Sequence, residues 1–408
     1  MKKYLFLVLP FVVNAQDLRT LIDLAYTNNN LVKSSTLSVE SKQKNIDSKK
    51  GAYYPTIDIG GYYQSLKEKS PFQAGDVYSG YAKAGLDIYD GGKKSAQLDQ
   101  AKSEYEASTH DTNELKKSLS LQIVQDFYSI MSLKASLNAK EDAGKSLQEQ
   151  LNRVQQFYKA GLATTDDVDR LQAAYDTNAY EIDSLKFQIL SGKKYLELKV
   201  GQEIDTLQDS SFNEVVDTNF ETKDSIKALD AQRSAILSGA ESVDSIYYPQ
   251  LRVEDTYSYY GYDDTLATEP KGLDKQNKLM VTLNMRIFDF FTAKDAKQAL
   301  QISSQALGEQ VAYKTKEQKV EFELAKSRIQ TSQIKIKSAQ SALVAAESAF
   351  KTINEKYING IVDYVIYLDA LSAKTDANAL YKISLNDLQV AYAMYYYYSG
   401  KNIEEFLK

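Results

Sequence analysis

The stretch Leu279-Met280-Val281-Thr282-Leu283-Asn284-Met285-Arg286-Ile287-Phe288-Asp289 decides the fold. Its apolar residues Leu279, Val281, Leu283, Met285 and Ile287 alternate with Met280, Thr282, Asn284, Arg286 and Phe288. Period two over about nine residues reads as a strand with one apolar and one more polar face. From about Ala293 to Lys356 the pattern changes to a proline-free run rich in Ala, Leu, Lys, Gln, Glu and Ser, which reads as one very long helix. An ordinary globular domain has no room for a helix of that length.

Similar strand patterns lie elsewhere. Leu251, Val253, Tyr257 and Tyr259 alternate with Arg252, Glu254, Thr256 and Ser258, while Ile57, Ile59 and Tyr63 share one parity, as do Tyr78, Ala82, Ala84, Leu86 and Ile88. Four strands follow, at about 56–66, 77–89, 250–261 and 278–288, joined as two hairpins by segments carrying Gly, Pro, Asp and Ser. Of the five prolines, Pro10 lies near the N-terminus, and Pro55, Pro71, Pro249 and Pro270 lie in the two strand windows. Between the windows Leu115, Leu119, Ile123, Phe127, Ile130, Leu133 and Leu137 step by three or four, and Leu147, Leu151, Val154 and Phe157 resume the stripe. A helix over about 93–159 results, about 100 Å long at 1.5 Å per residue. Tyrosines crowd the strand ends at Tyr53, Tyr54, Tyr62, Tyr63, Tyr247, Tyr248 and Tyr262, as in an aromatic girdle at a bilayer interface.

The chain is duplicated. Tyr53-Tyr54-Pro55 recurs as Tyr247-Tyr248-Pro249, at an offset of 194, and Ile88-Tyr89-Asp90 recurs as Ile287-Phe288-Asp289, at an offset of 199. The second offset also carries Phe157 to Gly161 onto Lys356 to Gly360, and Gly201 onto Gly400. Ordered matches in strand, turn and glycine positions mark a repeat. The expected organisation is a signal peptide at 1–15, a first repeat at 16–202, a linker at 203–222 and a second repeat at 223–408. Within the repeats, a second helix follows each long one, at about 165–199 and 363–398. Met1-Lys2-Lys3, the apolar run Tyr4 to Val13 and Val13-Asn14-Ala15 carry the charged, apolar and small-residue parts of a signal peptide.

Composition excludes much else. There are no cysteines and a single histidine, His110, set in a polar run; no nucleophile, base and orienting group can be assembled, and no phosphate-cradling glycine loop appears, so an enzyme is not expected. The formal charge of −6 becomes −8 without Lys2 and Lys3, with 47 basic residues against 55 acidic ones, which disfavours nucleic acid as a partner. No stretch beyond the N-terminus approaches 18 apolar residues, so membrane contact must be made by strands. Four strands cannot close a barrel, and open edges are not tolerated in lipid, so several chains must pool their strands. A secreted or surface coiled-coil protein, structural or adhesive and without a pore, explains the helices equally well but not the strands.

Taken together, these residues resemble the TolC family of outer-membrane efflux proteins over essentially the whole mature chain. The glycine turns are the most specific parts. Phe157-Tyr158-Lys159-Ala160-Gly161-Leu162 leads into a helix that begins near aspartates, and Tyr357-Ile358-Asn359-Gly360-Ile361 is the second copy. The resemblance implies an α+β fold: a homotrimer with a 12-stranded outer-membrane β-barrel, four strands per chain, continuous with a long α-helical barrel across the periplasm. It implies the exit duct of a tripartite export system, passing drugs, small molecules or proteins, with outer-membrane lipid around it. The implied partners are a periplasmic adaptor, or membrane fusion protein, and an inner-membrane pump of the RND or ABC type. No cofactor, metal or catalytic residue is implied. By position, Gly161, Leu162, Gly360 and Ile361 match the tip that meets the adaptor. Asp167 and Tyr357 match an acidic residue and a tyrosine of the periplasmic gate, while Val362 and Ile366 stand where the family carries an arginine and a constriction aspartate, and Asp369 keeps the other aspartate. The expected gate is therefore held by a hydrogen bond or by apolar contact at Val362 and Ile366, and three Asp369 carboxylates would favour cations.

Overall fold

The computed structural model describes residues 16–67, 74–214, 219–263 and 272–408; the expected signal peptide, Pro71 and Pro270 lie outside them. The elements run α1 (Leu18–Asn28), α2 (Asn30–Gly51), β1 (Thr56–Ser65), β2 (Asp76–Tyr89), α3 (Lys93–Lys159), α4 (Thr165–Val200), α5 (Asp224–Asp244), β3 (Gln250–Asp263), β4 (Lys275–Asn284), α6 (Thr292–Ile358) and α7 (Tyr364–Tyr398). Helices α3 and α6 are 67 residues each, about 100 Å. Each contains one glycine and no proline, so nothing interrupts the backbone ladder. Packing divides the chain into two compact units, Met1–Ser35 with Thr112–Asp224 and Thr315–Lys408, and Thr36–Asp111 with Ser225–Lys314. Both draw on both repeats, so the duplication does not correspond to two separate domains.

The unit that holds the strands is built on one antiparallel sheet in the order β1-β2-β3-β4. Its registers support the duplication. Thr56 faces Gly85 in the first hairpin, and Gln250 faces Asn284 in the second, which are the same positions at offsets of 194 and 199. Alternation sorts the side chains. Ile57, Ile59, Ala82, Ala84, Val253, Val281 and Leu283 share one face, interrupted by Asp255, and it is bare: Ile59 is 87% and Leu283 67% exposed. The opposite face carries Asp58, Lys83, Asp87, Arg252 and Glu254, with Arg252 2.9 Å from Asp87 and 3.6 Å from Glu254, and Lys83 3.7 Å from Glu254. The helices of this unit bury alanines such as Ala96, Ala101, Ala228 and Ala231, whose small side chains allow close packing.

Two details differ from the expectation for this region. β4 stops at Asn284 rather than reaching Phe288. The reason is its place at the sheet's edge: β2 continues to Tyr89 because β3 pairs with it there, whereas Met285 to Phe288 have no neighbouring strand in the chain. The following turn is also unusual. In the first repeat Gly91 and Gly92 hold φ of 72° and 88°; in the second, Phe290 and Phe291 hold φ of 55° and 66°. For residues with a side chain this left-handed backbone costs about 1–2 kcal/mol each.

The other unit has the larger core. Ile123, Val124, Phe127 and Ile130 of α3 pack with Leu18, Leu21 and Ile22 of α1, Leu196 of α4 and Tyr395 and Tyr396 of α7. Full burial of such side chains is worth roughly 2–3 kcal/mol apiece. Gly201 and Gly400 close the two repeats' last helices at φ of 82° and 84°, and an added Cβ would come within 2.8 Å of Asn28 and 2.4 Å of Glu221. Both positive φ and close approach require glycine there.

Candidate functional site

Both glycine turns lie in this second unit, and their backbones are alike. At the end of α3 the Leu162 N–H donates to the Phe157 carbonyl at 2.8 Å and the Gly161 N–H to Tyr158 at 3.0 Å; after α6 the Ile361 N–H donates to Lys356 at 2.9 Å and the Gly360 N–H to Tyr357 at 3.0 Å. Gly161 (φ 75°) and Gly360 (φ 72°) supply the left-handed residue of this helix stop. Beyond each glycine an apolar side chain stands in solvent, Leu162 at 76% and Ile361 at 70% exposure.

The chemistry after the turns differs. Thr164 caps α4 in a reciprocal box: the Asp167 N–H donates to the Thr164 hydroxyl oxygen at 3.3 Å, and the Asp167 carboxylate accepts from the Thr164 N–H at 2.9 Å and its hydroxyl at 2.7 Å. Asp363 caps α7 by accepting from the Ile366 N–H at 3.1 Å, and the place of Asp167 is taken by Ile366, 44% exposed. Val362 is half-buried just ahead of the cap, and Asp369 stands exposed on α7 beside a groove of about 420 Å³ lined by Leu147, Ala174 and Leu371.

The two expected gate residues Asp167 and Tyr357 are near each other without a hydrogen bond between them. Burial, and next the Asp167 charge, push the Tyr357 hydroxyl above its ordinary pKa. The Tyr357 ring stacks on Tyr367, centroids 4.8 Å apart and planes at 23°, and the Phe350 ring lies 5.8 Å from that of Tyr367, tilted by 47°. Tyr367 is 1% exposed, and burial pushes its hydroxyl up to about 12. A further link joins the two turns: Arg170, bound to Asp166 at 3.1 Å, has its guanidinium 5.8 Å from the centre of the Tyr364 ring. Sequence reasoning missed Thr164, Asp363, Arg170 and Tyr367. The caps had a signal in Thr164-x-x-Asp167; the stack had none, because the first repeat has Val168 where Tyr367 stands.

His110 lies 3.9 Å from Glu106, one helical turn back. No group of acidic or histidine side chains suited to a metal occurs among the described residues, and no described helix is long and apolar enough to cross a membrane. Neither fact bears on a β-barrel.

The family model for outer membrane efflux proteins matches residues 21–191. No curated protein matches the chain closely enough in sequence to count as a relative. Among solved structures, a membrane protein from Pseudomonas aeruginosa superposes with a TM-score of 0.83 at 15% identity, over 94% of this chain and 93% of that one. The outer membrane protein VceC from Vibrio cholerae gives 0.80 at 15% identity, over 95% and 96%, and the Campylobacter jejuni CmeC outer membrane channel gives 0.82 at 14% identity, over 94% and 85%. The fold is therefore the α+β fold of TolC-like channels, in agreement with the resemblance read from the sequence. The likeness is to transport channels and not to enzymes.

Proposed function

We propose that the chain is an outer-membrane efflux channel of the TolC type that extends into the periplasm, and that three copies close their sheets into one 12-stranded barrel and work as the exit duct of a tripartite export system. One observation carries this reading: the four-stranded sheet has two open edges, a bare apolar face and an opposite face of paired charges. Such a sheet has no stable home in water and no closure alone. In a barrel the apolar face meets outer-membrane lipid and the charged face lines the lumen. The test is mass in detergent after extraction from outer membranes, together with conductance in planar bilayers. A trimer that conducts is expected; a non-conducting monomer overturns the reading.

The partners proposed are a periplasmic adaptor and an inner-membrane pump of the RND or ABC type, which would set whether drugs, small molecules or proteins pass. Gly161, Leu162, Gly360 and Ile361 form the proposed docking tip, supported by the exposure of Leu162 and Ile361. Co-purification checks it: a Leu162→Glu, Ile361→Glu variant loses the adaptor while remaining assembled.

At the same end, the proposed gate draws on Asp167, Tyr357, Val362, Ile366 and Asp369. The Asp167 carboxylate is taken up by Thr164 within its own turn, which supports a closure made by apolar contact at Val362 and Ile366 and not by an ionic latch. Three Asp369 carboxylates in the narrowest part would concentrate cations. Asp369→Asn then lowers cation preference, and an unchanged reversal potential rejects the ring.

A further inference from the structure

Within the chain β2 pairs with β3, placing Asp87 opposite Arg252 in a 2.9 Å ion pair. The duplication carries β2 onto β4 at an offset of 199 and β3 onto β1 at an offset of 194. It turns Asp87 into Arg286 and Arg252 into Asp58. The same ion pair is thus encoded a second time with its charges exchanged, on the two edge strands, which do not touch within one chain. Arg286 and Asp58 are both exposed, and among the described residues neither forms an ion pair, although Lys83 stands opposite Asp58 on β2 and the Arg286 charge reaches Asp289.

The neighbouring turn repeats the pattern with size in place of charge. Gly91 lies so close to Ser245 and Tyr248 that an added Cβ would come within 2.5 Å of the Ser245 carbonyl oxygen. The equivalent positions are Phe290 on one side and Gly51 and Tyr54 on the other. A large residue replaces glycine where glycine replaces serine. Gly51 has open space around its Cβ position, and Phe290, held at a strained φ of 55°, is 84% exposed. A third sign is the idle end of β4: Leu86 to Tyr89 pair with Leu251 to Val253, whereas their equivalents Met285 to Phe288 pair with no strand among the described residues.

We propose that these residues form the seam between copies of this chain: β4 of one copy, extended to Phe288, pairs with β1 of a second copy in the register that sets Arg286 opposite Asp58 and lays the Phe290 ring over Gly51, beside Tyr54. The seam rests on the closed assembly proposed above and specifies what that reading leaves open, the strand register and the residues that select it. Exchanged charges and exchanged sizes make the second copy the occupant that fits both at once. Within the chain the Phe290 and Phe291 rings pack on Phe288, with centroids 4.9 and 5.7 Å away, and the neighbour adds the open Gly51 face to the exposed Phe290 ring.

The natural chain has no cysteine, so engineered pairs report without background. Residues directly opposite across antiparallel strands fall within disulfide reach. Asp58→Cys with Arg286→Cys is expected to give covalently linked trimers on oxidation, and the pair shifted by two residues on the same face, Thr56→Cys with Arg286→Cys, little linkage. In the charge test, Asp58→Arg or Arg286→Asp alone should lower the yield of denaturant-resistant trimer about tenfold by setting like charges opposite each other, and the double exchange Asp58→Arg with Arg286→Asp should restore it. A trimer that links better in the shifted pair, or an exchange that fails to restore trimer beyond either single variant, overturns the seam while leaving the assembly intact. A chain that stays monomeric without any substitution removes the assembly and the seam with it.

Discussion

The turn at Gly161 and the turn at Gly360 have the same backbone and opposite means of holding it. The first is fastened by polar groups: a reciprocal box between Thr164 and Asp167, and Arg170 on Asp166. The second is fastened by rings, with Tyr357 laid on Tyr367 and Phe350 in contact with Tyr367. Tyr158, which matches Tyr357, is 49% exposed and has no such partner ring among the described residues. Duplication copied the fold of the turn, and divergence then moved its stability from local hydrogen bonds on one side to packing on the other. The lesson is that equivalent positions in a repeat need not share equivalent energetics.

The widest separation of the two turns should come from Tyr367→Ala, which removes a buried ring at a cost of about 3–5 kcal/mol. Hydrogen exchange should then quicken over residues 350–371 and leave 156–165 protected; equal loosening of both turns would break the comparison. Alkali comes next. A tyrosine whose hydroxyl is raised to about 12 in the fold, against about 10 unfolded, keeps its full stabilising effect below pH 10 and loses it as pH climbs to 12. Tyr367→Phe is expected to flatten the fall in melting temperature across that window.

Smaller effects sharpen the contrast. Gly161→Ala and Gly360→Ala should each cost about 1 kcal/mol, the same in both turns because both glycines hold a left-handed backbone with open space around them. Thr164→Ala should cost about 1 kcal/mol through the lost cap, seen as faster exchange confined to the first turn of α4. Smallest of all, Ile366→Asp installs the missing half of the box in the second copy and should slow exchange there by a few tenths of a kcal/mol.

Much of this was legible in the residues. Apolar steps of three or four without proline marked α3 and α6, and alternation marked four strands, because both signals are local. The repeat was legible too, since turns and glycines keep their spacing. What escaped depends on partners remote in sequence or outside the chain. Phe288 was read into β4 because its parity fits, yet a strand's last residues form only where a neighbour pairs with them. Phe290 and Phe291 gave no sign of a left-handed backbone, which the first repeat announces with Gly91 and Gly92. Tyr367 stood out from no local pattern, because its stack joins α6 to α7 across a turn. The tip and gate residues came from resemblance, and the structure gives their surroundings.

The bare sheet face described earlier has a consequence for time as well as for shape. In the channel proposed above, a newly exported chain would cross an aqueous compartment carrying Ile57, Ile59, Val281 and Leu283 uncovered between two free edges. Such a surface recruits any strand it meets. Encounter between correct copies and encounter with wrong ones therefore race, and the race is decided by concentration and by how quickly lipid or an escort covers the face. Lys275 and Lys278 on the β4 edge tilt it, since a charged edge repels casual pairing until a matching edge arrives.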